Sequence, residues 1–245
     1  MKLLLVSDLH YTLRQLDWVV SVAGDFDLVV VCGDHLDISS IVEPAAQIEV
    51  VLEYLSRIAA KTTVVACSGN HDLDARNDLD ELYASWLEPA KKAGVFIDGA
   101  RLEADNVVVT VCPWWDGPRT RDVVDRQLLD DAATVGDRVW IWVYHAPPDR
   151  SPTSWTGRRY YGDEALRAWI ESYQPQLVLC GHVHQAPFAA DGAWADRIGS
   201  TWVVNAGRQI GPVPACVVVD TLTGQASWTS LQGVDEMLLD DSVRR

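Results

Sequence analysis

The chain has no apolar run approaching the ~18 residues that a membrane-spanning helix needs. Its strand-like stretches are each broken by Asp, Gly, Asn or His. A membrane-spanning helix is therefore not expected, and neither is membrane contact. The opening Met1-Lys2-Leu3-Leu4-Leu5-Val6 meets Ser7-Asp8 at once, too soon for the apolar core of a secretory signal, and reads as a first strand. Cysteine offers no framework either. Cys32, Cys67, Cys112, Cys180 and Cys216 are odd in number and widely spaced, and no C-x-x-C pair occurs, which argues against a disulfide scaffold or a structural zinc knot. They read as buried thiols, and a reducing cytoplasm is the expected location. Positive charge is scarce: 20 Lys and Arg face 35 Asp and Glu, a formal net charge of −15. Most of the surface therefore repels polyanions, and long nucleic acid is not an expected partner. Repeats, low-complexity tracts and linkers are lacking too. The acidic end, with Asp235-Glu236 and Asp240-Asp241, reads as a solvated tail.

What is present is an alternation of strand and helix patterns. Lys2–Val6, Leu28–Cys32 and Thr63–Cys67 are short apolar runs, separated by helical stretches over Leu13–Ala23 and Pro44–Ala60. Parallel strands with helices on their faces follow from that order. A further helix is expected over Asp78–Ala93, then short hairpin strands at Val95–Ile97, Arg101–Glu103 and Val107–Cys112. Val139–Tyr144 and Gln176–Cys180 resume the buried type around a helix over Glu164–Glu171, with Asp163 as its N-cap. Thr201–Asn205, Ala215–Asp220 and Ala226–Leu231 close the chain as strands. Pro113–Asp122 and Ala146–Gly162 read as loops that shape a site. The expectation is one domain over 1–245: a four-layer α/β/β/α sandwich of two mixed β-sheets flanked by helices.

All 6 histidines stand directly after strand-like runs. The blocks are Asp8-Leu9-His10, Gly33-Asp34-His35, Gly69-Asn70-His71-Asp72, Tyr144-His145 and Gly181-His182-Val183-His184. Loops beyond the carboxyl ends of strands in an open α/β sheet converge on one crevice. Imidazole with carboxylate suits divalent transition metals, and this set is too large for one tetrahedral ion. Two ions about 3.5–4 Å apart sharing a carboxylate would use it fully, and Asp34 is the candidate bridge. A hydroxide bridging such ions would attack phosphorus in line.

In these five blocks the chain resembles the calcineurin-like metallophosphoesterase superfamily, including its bacterial class III cyclic-nucleotide phosphodiesterases. The resemblance implies a first metal site of Asp8, His10, Asp34 and His184, and a second of Asp34, Asn70, His145 and His182. It implies Mn, Fe or Zn as the ions. It further implies that His71 is a proton donor or phosphate contact, and that Asp37, three residues past the bridge, orients it. The protein-phosphatase branch carries Arg after that Asp, whereas this chain has Ile38, so a phosphodiesterase or a small-molecule phosphomonoesterase is the better match. A non-catalytic scaffold, as in the family's retromer subunit, would lack ligands, and none is lacking. A nuclease for short single strands is a further alternative.

His35 matches no ligand position and reads as a supporting or loop residue; Asp72 reads as a support to a histidine or as a helix cap. Among the 11 tryptophans, Trp114, Trp115 and Trp155 lie in the two loop windows. There they suit either base stacking or packing of a lid or a homodimer contact. Arg158, Arg159 and Arg208 are candidate phosphate contacts, and Asn205-Ala206-Gly207 reads as a structural turn.

Overall fold

The computed structural model describes residues 1–78, 80–104, 106–240 and 243. In chain order these form β1 (Lys2–Val6), α1 (Leu13–Val22), β2 (Leu28–Cys32), α2 (Pro44–Ala59), β3 (Thr63–Cys67), β4 (Ala75–Arg76) and β5 (Leu82–Tyr83). Next come β6 (Arg101–Ala104), β7 (Val107–Val111), α3 (Pro118–Val135), β8 (Val139–Val143), α4 (Glu164–Tyr173) and β9 (Leu177–Cys180). The chain ends with β10 (Ala195–Ile198), β11 (Thr201–Asn205), β12 (Cys216–Asp220), β13 (Gln225–Ser230) and β14 (Gly233–Leu238).

Two six-stranded sheets result, ordered β14-β13-β12-β1-β2-β3 and β10-β11-β9-β8-β7-β6. Both are mixed: β1, β2 and β3 run parallel, as do β7, β8, β9 and β11, with antiparallel strands towards the edges. Because side chains alternate along a strand, each apolar run feeds two cores. In β1, Leu3 and Leu5 point between the sheets, against Val109, Ile141 and Leu179, while Leu4 and Val6 meet Leu16, Val51 and Leu55 of α1 and α2. In β8, Ile141 and Val143 face inward, whereas Trp140 and Trp142 pack outward with Val124 and Leu128 of α3 and Leu166 and Ile170 of α4. Two mixed sheets between helical layers is the architecture expected from the sequence. No helix among the described residues is long and apolar enough to cross a membrane.

Several elements differ from expectation. The stretch from Asp78 to Ala93 is not one α-helix: after β5 it becomes 3-10 turns over Ser85–Ala93, with Pro89 inside, where an α-helical hydrogen bond would be lost. Leu79 lies outside the described residues. Val95–Ile97 forms no hairpin; Phe96 bridges to Val65 in parallel and covers the free edge of β3. The loop after Pro113 stops at Gly117, and α3 begins inside the window read as loop. The acidic end stays solvent-exposed at Asp235 and Glu236, as expected, but it is tied into the fold rather than a loose tail. Asp235 Oδ2 accepts the Trp194 indole N–H at 2.7 Å, Asp240 pairs with Arg197, and β14 completes its sheet. Asp241 lies outside the described residues.

Candidate metal centre

The parallel strands β1, β2 and β3 of one sheet and β8 and β9 of the other deliver their C-terminal loops to one place. Four of the candidate ligands on those loops, Asp8 (φ 54°), His10 (φ 41°), Asp34 (φ 52°) and His182 (φ 64°), hold a left-handed backbone. That conformation is uncommon for residues with a Cβ and persists where surrounding structure imposes it. Here hydrogen bonds do so. Asp8 N–H donates to the Gly33 carbonyl at 3.1 Å and His10 N–H to the Asp34 carbonyl at 2.9 Å, while Asp8 Oδ2 accepts His182 N–H at 3.0 Å. The last bond joins the two sheets.

Side chains from five loops meet here. His184 Nε2 lies 3.1 Å from Asp8 Oδ1 and 3.2 Å from His10 Nε2; His10 Nε2 lies 3.6 Å from Asp34 Oδ2. On the other side, His145 Nε2 lies 3.2 Å from the same Asp34 oxygen, and the His145 and His182 rings sit 5.1 Å apart. Two clusters that could hold a metal ion emerge: Asp8, His10, Asp34 and His184, and Asp34, His145 and His182, the candidate ligand atoms of each lying within 4.8 Å of one another. Asp34 belongs to both. Such proximity needs a backbone without side chains alongside. A Cβ at Gly69 would fall 2.3 Å from Asp34 Oδ1, and one at Gly33 would fall 2.3 Å from His145 Nδ1.

Electrostatics suit a cation. Burial works against the charge of Asp34, yet His145 beside it and the His71 N–H bonded to its Oδ1 hold it far below the ordinary carboxylate range. Burial disfavours charge on His145 too, but Asp34 and Asp8 outweigh it and raise it to about 10. Burial lowers His10 and His182 to about 4, leaving their lone pairs free. The protein alone thus keeps one proton on His145 to balance buried carboxylates. Two atoms among the implied ligands are buried without a hydrogen bond: Asn70 Oδ1, and His145 Nε2, which lies 3.2 Å from Asp34 Oδ2. An orphaned buried polar atom costs ~1–3 kcal/mol, and a divalent ion would satisfy both. The residues therefore fit the ions that the resemblance implies. His145 is oriented for that task by its Nδ1–H, which donates to the Cys32 carbonyl at 2.8 Å.

His71 lies at the rim. Its Nε2 is 4.0 Å from Asp34 Oδ2 and its ring meets His10 edge-on at 4.7 Å. Asp37 is not brought to it. The Asp37 carboxylate turns back to accept Ser39 N–H at 2.8 Å, while its backbone is held by Gln47, so the orienting role expected from spacing is not built. His35 is a core residue: it is buried, its Nε2 donates to the Cys67 carbonyl at 2.9 Å, and its ring meets Trp86. Asp72, fully buried, caps no helix. Its carboxylate accepts the N–H groups of His35, Leu36 and Gly69 and so ties the loops after β2 and β3 together. That role was not legible, since the donors come from two loops that only the fold brings together. Asn205 braces the turn behind the centre through Thr153, Val183 and Gly207. The aromatic loops divide: Trp114 packs on His145 and His182, Trp115 stacks on Tyr144, and Trp155 donates to the Ala190 carbonyl. Tyr161, which no sequence motif marks, stacks on His182.

Comparison with known proteins gives the same picture. The protein TT1561 of Thermus thermophilus superposes with a TM-score of 0.62 at 15% identity, over 98% of this chain and 99% of that one. Purple acid phosphatase PPD1 from yellow lupin superposes with a TM-score of 0.62 at 12% identity, over 99% of this chain but 55% of the lupin one. Yfce, a phosphoesterase from E. coli, superposes with a TM-score of 0.50 at 15% identity, over 98% of this chain and 100% of that one. At such identities the likeness is one of fold. No curated protein sequence matches. The profile of the calcineurin-like phosphoesterases matches residues 1–186, which takes in every block that meets at the centre, and the chain belongs to that family.

Proposed function

We propose that the chain is a dinuclear metal-dependent phosphoesterase that hydrolyses a phosphate ester, with a diester as its preferred substrate. The observation that carries this is the membership of Asp34 in both clusters that could hold a metal ion. We assign Asp8, His10, Asp34 and His184 to one ion and Asp34, Asn70, His145 and His182 to the other, the ions being Mn, Fe or Zn. Bound there, such ions acidify water to near-neutral pKa and neutralise phosphoryl oxygens as charge develops.

The chain's own groups do the rest. Asp34 and Asp8 stay ionised and hold the imidazoles in place around them. His71, with a side chain 22% exposed, reaches both the centre and solvent, as a group must that returns a proton to the leaving oxygen. General-acid help of this kind contributes ~10²–10⁴-fold. With a formal charge of −15, the chain favours a monoanionic diester over a dianionic monoester. The free, buried cysteines suit action in a reducing cytoplasm.

The test is hydrolysis of bis-p-nitrophenyl phosphate beside p-nitrophenyl phosphate by metal-stripped protein resupplied with Mn²⁺, Fe²⁺ or Zn²⁺. Metal-dependent turnover favouring the diester is expected. Turnover of neither ester with any of the three ions, or turnover indifferent to metal, would overturn the reading.

A further inference from the structure

We infer that the pocket against His182 is a subsite for a flat aromatic group carried by the phosphate ester, walled by Trp114 and Tyr161. This rests on the phosphoesterase reading and deepens it. The cavity, about 210 Å³, is lined by Trp114, Ala146, Tyr161, Gly162, Asp163 and His182. It therefore opens directly beside the assigned centre. Two rings converge on the His182 imidazole: Trp114 at 5.3 Å between centroids and tilted 51°, and Tyr161 stacked at 5.2 Å and 23°.

Tyr161 is 52% exposed; its ring stacks on His182 and has the Arg159 guanidinium 5.5 Å from its centroid. An aromatic ring that is ordered yet open to solvent offers apolar surface to whatever enters. The one acidic group in the lining is already engaged, because Asp163 Oδ1 caps α4 by accepting Leu166 N–H at 2.8 Å. Ring surface lines the pocket beside polar atoms in nearly equal share, and a flat ring would be held there by shape and stacking.

Both walls are set in advance. Trp114 N–H donates to Ser68 Oγ at 3.0 Å, and Ser68 N–H donates to Asp98 Oδ1 at 2.8 Å, which anchors the first wall to the end of β3. The second is pinned by Tyr161 N–H to the Ser154 carbonyl and Asp163 N–H to the Pro147 carbonyl, each at 2.8 Å. Asn205 fixes the same loop from behind through the Thr153 carbonyl at 2.9 Å. A subsite already ordered loses little entropy when it is filled.

The experiment titrates phenylphosphonate and methylphosphonate into Mn²⁺-reconstituted protein by calorimetry, with metal content measured alongside. Wild type should bind the phenyl compound about tenfold more tightly, the size of one good stacking contact. Tyr161→Ala should bring that ratio close to one at wild-type metal content, and Tyr161→Phe should keep it. Equal affinities in wild type, or binding of neither compound, would overturn the subsite. So would a Tyr161→Ala protein that loses metal and weakens both ligands alike, because Tyr161 would then serve only to orient His182. Because binding is read without turnover, a protein that holds phenylphosphonate but hydrolyses no ester refutes the catalytic reading and leaves the subsite standing.

Discussion

Gly33→Ala should destabilise the metal-stripped protein by about 2–5 kcal/mol, through two separable effects. The residue sits at φ +74°, where a Cβ costs ~1–2 kcal/mol. The new methyl would also lie 2.3 Å from His145 Nδ1 and 2.5 Å from its Cγ, so the imidazole must swing aside. That movement breaks the 2.8 Å bond from Nδ1–H to the Cys32 carbonyl and leaves a buried acceptor unpaired, at ~1–3 kcal/mol. For a chain of this size each kcal/mol moves Tm by about 2–4 °C, so a fall of roughly 4–20 °C is expected. Gly24→Ala is the control, since no atom lies within 4 Å of its Cβ and its φ is unremarkable; its Tm should hold or rise slightly. Urea unfolding and scanning calorimetry of both variants, with Mn²⁺ titrations, decide the matter. A Gly33→Ala protein with wild-type midpoint and wild-type metal affinity would refute the reasoning, as would equal damage from Gly24→Ala.

Four further outcomes follow from the same geometry. His71→Ala should retain metal but lose turnover of esters with poor leaving groups more than of activated aryl esters; equal loss on both, in parallel steady-state assays, would remove the proton-donor role. His145 rises from 6.5 to about 10 in the folded, metal-free chain. Its protonation therefore contributes stability that is complete below pH 6.5 and lost as pH climbs through 10, and His145→Gln should flatten that slope in urea titrations. Metal uptake at about pH 8 should in turn release this proton, seen as a calorimetric enthalpy that changes with the buffer; a buffer-independent enthalpy would contradict it. Asp72→Asn sets an amide donor against one of the three backbone N–H groups bound at 2.8–3.0 Å, so a loss of ~1–3 kcal/mol is expected on unfolding, and unchanged stability would speak against that network.

Much of the fold was legible because its parallel strands are buried on both faces. Runs such as Leu28–Cys32 are apolar throughout and end abruptly in Gly-Asp or Gly-Asn. The centre was legible for the same reason, since its residues stand where those runs stop. What escaped notice depends on tertiary partners. Helix α3 buries only Val124, Leu128 and Asp131, a stripe too thin to stand out among charges, and the acid is buried only because Arg101 and Thr110 bind it. Strand β14 exposes residues on both faces, so no alternation marks it; pairing with β13 makes it a strand. The spacing from Asp34 to Asp37 matched a pattern, but the chain turns at Ser39 and takes the carboxylate with it. Tyr161 carried no motif at all, and its importance comes from where the loop crosses His182.

The most direct test of a bridging Asp34 is the number of ions the chain holds. Metal-stripped protein dialysed against Mn²⁺ should saturate at two ions per chain, and Asp34→Ala should hold fewer, with its phosphodiester hydrolysis abolished. Saturation of the wild type at a single ion, or two ions retained by Asp34→Ala, would contradict the shared-carboxylate centre.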